Sequence, residues 1–273
     1  MTASPAERDQ LARAFAAIAS EAGVAVMEVY RSDFETRSKA DHSPVSDADE
    51  RAEVIILSHL ARLLPGVPVV AEEASARDGF AARPAGQDSS AFLLVDPVDG
   101  TREFIQRKGD FTVNIALVEA GLPVAGVVFA PARREMYFGG ASAHLAESFI
   151  EGMKLDDSAM SPMLTRAYPD AGLTAVTSSS HLDDRTKAFL ATRRIASQTG
   201  IGSSLKFCLV AKGAADIYPR FGPTMEWDTA AGQAVLMAAG GCVTTPEGAA
   251  FTYGHHDRGY LNGPFIAWGR EPA

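Results

Sequence analysis

The sequence predicts a mixed α/β chain of the α+β kind, and three observations carry that prediction. Two amphipathic helical patterns come first, a run of β-branched strands follows, and helix and strand alternate thereafter. With 47% hydrophobic and 22% charged residues over 273 positions, the chain has material for one or two packed cores.

The first helix is expected from about Pro5 to Tyr30, because Leu11, Phe15, Ile18, Ala22, Val26 and Val29 recur at three- and four-residue steps. Gly23 inside it predicts a close neighbour. Residues 31–45 are polar and read as a loop or a short hairpin. A second helix is expected to open at Ser46, which has capping-box spacing to Asp49, and to end at Pro65-Gly66. Pro68 to Ala71 reads as a strand leading to Glu72-Glu73, and residues 74–90 as a surface loop.

The strands from Leu93, Thr112–Val118, Val124–Phe129 and Glu135–Phe138 form a meander, so the two helices should pack on a mostly antiparallel sheet. Residues 139–172 have no clear period, and the boundary between residues 1–145 and a smaller α/β unit of 146–273 is placed there. In that second unit, strands are expected at Leu173–Thr177, Asp216–Tyr218, Cys242–Thr244 and Phe265–Trp268. Helices are expected at Asp183–Arg193, Gly202–Ala211 and Trp227–Ala239, the last rich in small residues and stopped by Gly240-Gly241.

The net charge of −9 disfavours a nucleic acid polymer as partner, but leaves a small anionic substrate open, since bound cations reverse a local field. Cys208 and Cys242 lack CxxC spacing and are expected to be free thiols. No basic and apolar leader and no run of about 18 apolar residues is found, so a cytoplasmic protein without membrane insertion is expected.

One stretch asks for more than structure. LLVDPVDGT, Leu93 to Thr101, ends a buried strand in Asp96 and Asp99, separated by Pro97 and Val98 and followed by Gly100. A bend across the proline can aim both carboxylates and the Val98 carbonyl at one point. Oxygen-only ligands select hard cations, with Mg²⁺ the physiological choice. A helical turn opening at Gly100–Thr101 would add free amides for an anion. Together these describe a phosphate-ester hydrolase better than a calcium module. Asp49, Glu72 and Asp228 also sit at element boundaries; each alone reads more readily as a cap, a turn or a solvated residue than as a ligand.

The DPVDGT sextet, with AEE upstream, WDTAAG downstream, and Ser43-Pro44-Val45-Ser46 ahead of Asp49, resembles the inositol monophosphatase superfamily of Mg²⁺-dependent, Li⁺-sensitive phosphatases. Ala71 and Ser46 stand where that family usually has Gly and Thr; neither change removes a ligand. Three further segments resemble its CysQ-type branch, the 3′(2′),5′-bisphosphate nucleotidases. They are Thr101–Ile105 with Phe111–Leu117, Gly202–Cys208, and Tyr218–Thr224 leading into Trp227–Gly232.

The resemblance implies a layered αβαβα sandwich of the inositol monophosphatase and fructose-bisphosphatase type. It also implies hydrolysis of adenosine 3′,5′-bisphosphate to AMP and phosphate. By the same resemblance, Glu72, Asp96 and the Val98 carbonyl hold one Mg²⁺, and Asp96, Asp99 and Asp228 a second, with a third weaker ion allowed. Asp49, Thr101 and Glu72 attend the attacking water, with the Thr101 hydroxyl donating to Asp49. The Gly100 and Thr101 amides take the scissile phosphate, and His181, Ser203, Lys206, Arg220 and Asp228 contact the nucleotide. His255-His256 is read as a surface turn, and Trp227 as packing the following helix.

The expected partner is therefore a small nucleotide bisphosphate, with the chain a monomer or homodimer, in the cytoplasm or peripherally at the inner membrane. Two alternatives stand beside this. One is an inositol monophosphatase or other small phosphate-ester phosphatase, against which Lys206 and Arg220 argue. The other is a non-catalytic metal-binding protein, against which the full set of acids with Thr101 argues.

Overall fold

The computed structural model describes residues 3–32, 44–78, 91–179 and 182–270. Helix α1 (Pro5–Arg31) starts at a capping box: the Ser4 hydroxyl accepts from the Glu7 N–H, and the Glu7 carboxylate accepts from the Ser4 N–H at 2.7 Å. Its buried stripe includes Phe15, Ile18, Ala22, Val26 and Val29. Gly23 has the close neighbour its presence predicts, since a Cβ there would lie 2.5 Å from Cε1 of Phe129.

Helix α2 (Pro44–Leu63) begins before Ser46, so Ser46 lies in its first turn and does not cap it. A proline is well placed to open a helix, where its missing N–H costs no bond. After strand β1 (Val69–Ala71), Glu72 opens a short helix, α3 (Glu72–Asp78), in place of part of the expected loop. The rest of that loop, and the polar segment from residue 33 to residue 43, lie outside the described residues.

Strand β2 (Ala91–Asp99) is followed by α4 (Thr101–Ile105), then β3 (Thr112–Glu119), β4 (Leu122–Ala130), β5 (Glu135–Gly139), β6 (Ala143–Ala146) and β7 (Met160–Met163). The seven strands lie side by side in sequence order; only the β1–β2 pair is parallel. The sheet thus continues to Met163, beyond residue 145.

The second sheet has the order β11-β12-β10-β8-β9. It is built from β8 (Leu173–Ser178), β9 (Ile195–Ile201), β10 (Ile217–Arg220), β11 (Cys242–Thr244) and β12 (Phe265–Trp268), with helices α5 (Asp184–Ala191), α6 (Leu205–Ala211) and α7 (Ala230–Ala238) between them. α6 and α7 are shorter than expected because Gly202–Ser204 and Trp227–Thr229 are non-helical approaches to them.

Burial sorts these elements into layers. One core joins α1 and α2 to one face of the large sheet, through Leu93, Val95, Ile115, Val127 and Phe138. A second joins the opposite face (Phe92, Leu94, Val128, Tyr137) to α6 and α7, and those to the small sheet through Val176, Tyr218 and Phe265. A third seals the far face of the small sheet with Leu190 of α5. The result is the αβαβα sandwich. Trp227 is buried in the middle core, as expected of it. Cys208 and Cys242 are not joined in a disulfide, Cys208 being fully buried and Cys242 partly.

Candidate active site

Register builds the centre of the site. β1 and β2 run parallel with Ala71 opposite Val95, so the next residues, Glu72 and Asp96, emerge side by side at the same sheet edge. Their carboxyl groups lie close enough to perturb each other's ionisation. Beyond Asp96 the β2–β3 ladder slips: Asp96 pairs with Asn114, but Asp99 pairs with Thr112. Pro97 has no N–H to give the ladder, and β2 accommodates one extra residue. Side chains three apart on a regular strand face opposite ways; the bulge returns Asp96 and Asp99 to one face.

The Val98 N–H donates to Asp96 Oδ1 at 3.1 Å. Gly100 then takes φ +100°, and a Cβ there would lie 2.9 Å from the Asp110 carbonyl oxygen, so the turn into α4 admits only glycine. Thr101, the first residue of α4, is exposed.

The other two acids arrive from different layers. Asp49 is buried on α2. Asp228 stands just before α7 and accepts from the Met225 N–H at 2.8 Å. Burial, reinforced by neighbouring carboxylates, drives the group upward in pKa. Asp49 is pushed up to about 9, through burial first and then Glu73 and Glu72. Glu72 is pushed up to about 7, mainly by burial, with the Asp96 hydrogen bond opposing. Asp96 and Asp228 are raised well above the usual carboxylate range by burial and by each other's neighbours. In Asp99, burial outweighs the lowering by Lys206 and Ser204.

A buried patch of mutually repelling oxygens is the environment a hard cation relieves, and no His or Cys ligand competes for a softer one. A further buried oxygen on β3, Thr112 Oγ1, has no hydrogen-bond partner among the described residues. The donor set therefore fits Mg²⁺. Among the described residues no three acidic, His or Cys side chains form a ready-made ion cage. Asp99 instead rests on Ser204, whose N–H donates to Asp99 Oδ2 at 2.6 Å.

Beside the acids opens a cleft of about 450 Å³, lined by Asp99, Gly100, Thr101, Glu103, Ser203, Lys206, Tyr218, Arg220 and Asp228, among others. Lys206 is buried, its Nζ bonded to the Ser203 and Ile201 carbonyls and 5.3 Å from the Tyr218 ring centroid. Burial lowers its pKa to about 8, with Arg220 pushing the same way. Arg220 holds the Gly222 and Pro223 carbonyls. Ser203 adopts φ +51°, which turns the chain sharply at the cleft wall.

The structure thus gathers Thr101, Ser203, Lys206, Arg220, Gly100, Asp99 and Asp228 around one cleft. Glu72, Asp96 and Asp49 are joined to it electrostatically. Val98 is buried between the two aspartates. His181 lies outside the described residues. Among the described residues no hydrogen bond joins Thr101 to Asp49; Thr101 is exposed and Asp49 is buried.

Comparison with known proteins agrees with this architecture. The inositol monophosphatase family profile matches residues 7–267. The chain belongs to the inositol monophosphatase family. Among members of this family, the 3′(2′),5′-bisphosphate nucleotidase CysQ of Salmonella typhimurium is 42% identical over 238 residues, covering 86% of this chain and 91% of that protein. The Escherichia coli K12 protein of the same name is 43% identical over the same shares. The crystal structure of CysQ from Bacteroides thetaiotaomicron superposes with a TM-score of 0.79 at 35% identity, covering 95% of this chain and 97% of that one. An inositol monophosphatase from Zymomonas mobilis shares the fold at a TM-score of 0.72 and 24% identity, over 96% and 93% of the two chains.

Some residues of the site escape motif reading. Ser204 touches Asp99 and is held in turn by Asn114, through hydrogen bonds that no spacing announces, although an amide inside the apolar run TVNIALV is itself a signal that a partner waits. Glu103, inside α4, faces the cleft and accepts from Ser179 at 3.0 Å. Glu226 is fully buried and accepts from the Gly254 and His255 N–H groups and from His255 Nδ1 at 2.8 Å. The 255–256 turn is therefore anchored to the residue two before Asp228.

Proposed function

We propose that this protein is a Mg²⁺-dependent 3′(2′),5′-bisphosphate nucleotidase. It removes the 3′-phosphate of adenosine 3′,5′-bisphosphate, leaving AMP and phosphate. The observation that carries this reading is the buried Lys206, with Arg220 beside it, in the same cleft as Asp99 and Asp228. A cation pair there suits a second phosphate, which a neutral polyol ring would leave unmatched. The names and identities of the CysQ relatives support the same reading.

Glu72, Asp96, Asp99, Asp228 and the Val98 carbonyl would hold the metal, two or three ions in all. Bound there, Mg²⁺ supplies charge neutralisation at the phosphoryl oxygens and a water of lowered pKa. The remaining work belongs to the chain. The backbone amides at Gly100–Thr101 bind the scissile phosphate. Thr101 and Asp49 orient the attacking water, with Glu72 near it. Ser203, Lys206, Arg220 and His181 grip the nucleotide. Little covalent chemistry falls to the protein, so positioning and electrostatics carry the rate.

The test is phosphate release with Mg²⁺ from adenosine 3′,5′-bisphosphate and from inositol 1-phosphate, each with and without Li⁺. The bisphosphate should be strongly preferred and Li⁺ inhibitory. Equal or faster release from the inositol ester would overturn the assignment.

A further inference from the structure

Ser204 touches β2, β3 and the segment carrying the last acid of the centre. Its Oγ lies 2.9 Å from Asp99 Oδ2, 2.8 Å from the Asp228 carbonyl oxygen and 3.0 Å from Asn114 Nδ2. Asp99 ends β2, Asn114 lies on β3 opposite Asp96, and Asp228 leads into α7. Ser204 and Asn114 are both buried, so water does not substitute for these bonds.

The hydrogen count gives the arrangement a direction. A hydroxyl has one proton and two lone pairs. The Asn114 amide fills one lone pair by donating, which leaves the hydroxyl free to donate onward. It has two acceptors within reach, the Asp99 carboxylate and the Asp228 carbonyl, and can serve one at a time. When Asp99 turns to a cation, the proton has the Asp228 carbonyl to go to, and no buried donor is orphaned. The Ser204 N–H gives Asp99 a second, fixed bond that needs no side chain.

We propose that Ser204, oriented by Asn114, is a positioning residue for the metal centre. It holds Asp99 and the Asp228 segment in register with each other, and so sets Mg²⁺ affinity. The inference rests on the metal-dependent reading above. It adds that the site's two halves, drawn from opposite ends of the chain, are joined by this hydroxyl.

Isothermal titration of the folded protein with Mg²⁺ alone tests it, with near-UV circular dichroism to establish folding. Groups that support metal ligands typically contribute 10- to 100-fold in affinity. Ser204→Ala should therefore weaken Mg²⁺ binding by about 10-fold or more. Asn114→Ala should weaken it less, and should add nothing in the Ser204→Ala background, because Asn114 acts only through the hydroxyl. Ser20→Ala is the control. That hydroxyl also makes two buried bonds, to the Met153 carbonyl and from the Gly152 N–H, but outside the cleft. It should leave Mg²⁺ affinity unchanged.

Wild-type affinity in Ser204→Ala, fully additive losses in the double variant, or an equal loss in Ser20→Ala would each overturn the proposal. Were Ser204→Ala not to fold, wild-type affinity in Asn114→Ala would overturn it instead. A native protein that takes up no Mg²⁺ at all would overturn the metal-dependent reading as well, which separates the two failures.

Discussion

At the scale of single residues, the site works against the fold that carries it. Asp96 is buried with Glu72, Asp99, Asp228 and Asp49 all raising its pKa. Such a group destabilises the protein unless it is protonated or a cation is present. Asp96→Asn keeps the shape and removes the charge. In the presence of chelator at pH 8 it should melt higher than the native protein, by differential scanning calorimetry. Its Mg²⁺-dependent turnover should fall by more than about 100-fold, beyond what losing a supporting group costs. A variant that kept both its turnover and its Mg²⁺ response would remove Asp96 from the ligand set. Lys206 plays the converse part, as a cation held in a dry pocket by two carbonyls and an aromatic face. Charge-assisted bonds contribute about 1.5–3 kcal/mol each. Lys206→Ala should then raise KM for the bisphosphate by roughly 10- to 100-fold. It should also erase the preference for bisphosphate over monophosphate; an unchanged ratio in steady-state kinetics would exclude Lys206 from recognition.

At the scale of elements, the site depends on how closely α7 can approach its neighbours. Added Cβ atoms at Gly126 and Gly139 would each lie 2.9 Å from an alanine Cβ of α7, so the helix lies flush on the large sheet. On its other side a Cβ at Gly232 would lie 2.4 Å from Cδ2 of Phe207 and 2.8 Å from its Cβ, so the α6–α7 contact has no slack. Gly232→Ala gains about 1 kcal/mol of helix propensity. Overpacking at such a contact costs about 1–3 kcal/mol. The clash involves the root of Phe207 as well as its ring, so the cost should win: urea denaturation should show a net loss, with weaker Mg²⁺ binding because Asp228 rides on α7. A net gain in stability would mean α6 can yield. The small residues of this helix were legible in the sequence as a packing signature, as were Gly23 and the β2–β5 meander. The edge strands β7 and β9 were not. β7 turns two of its four residues to solvent and β9 five of its seven, so the alternation that marks a half-buried strand is missing from Met160–Met163 and Ile195–Ile201. The acids were legible because their motif is local, whereas Ser204, Asn114 and Glu226 act through contacts 24 to 105 residues distant, and only the folded chain brings those together.

At the scale of the whole molecule, the acidic centre ties global stability to pH and to the cation. Asp49 rises from 3.8 to about 9 in the folded protein, and Glu72 from 4.5 to about 7. Between those limits the folded chain binds protons that the unfolded chain has released. By linkage, stability then falls as pH rises. The contribution of each group is complete below its unfolded pKa, near 4, and is lost as pH climbs through about 7 for Glu72 and about 9 for Asp49. With chelator, the melting temperature should therefore decline steadily between about pH 5 and pH 9. Mg²⁺ reverses the sign of the local field, since a cation favours the ionised carboxylates that pH 9 produces. At 100 times its Kd, a ligand adds about 2.7 kcal/mol. For a chain of this size that corresponds to a rise of roughly 5–10 °C. The rise should be smallest at pH 5, where protons occupy the carboxylates, and largest near pH 9. Calorimetric scans across this range, with Mg²⁺ and with chelator, give two curves that should diverge as pH increases. Parallel curves would mean that the buried acids and the cation do not compete for the same oxygens, and the reading of Asp49, Glu72 and Asp96 as one centre would fall.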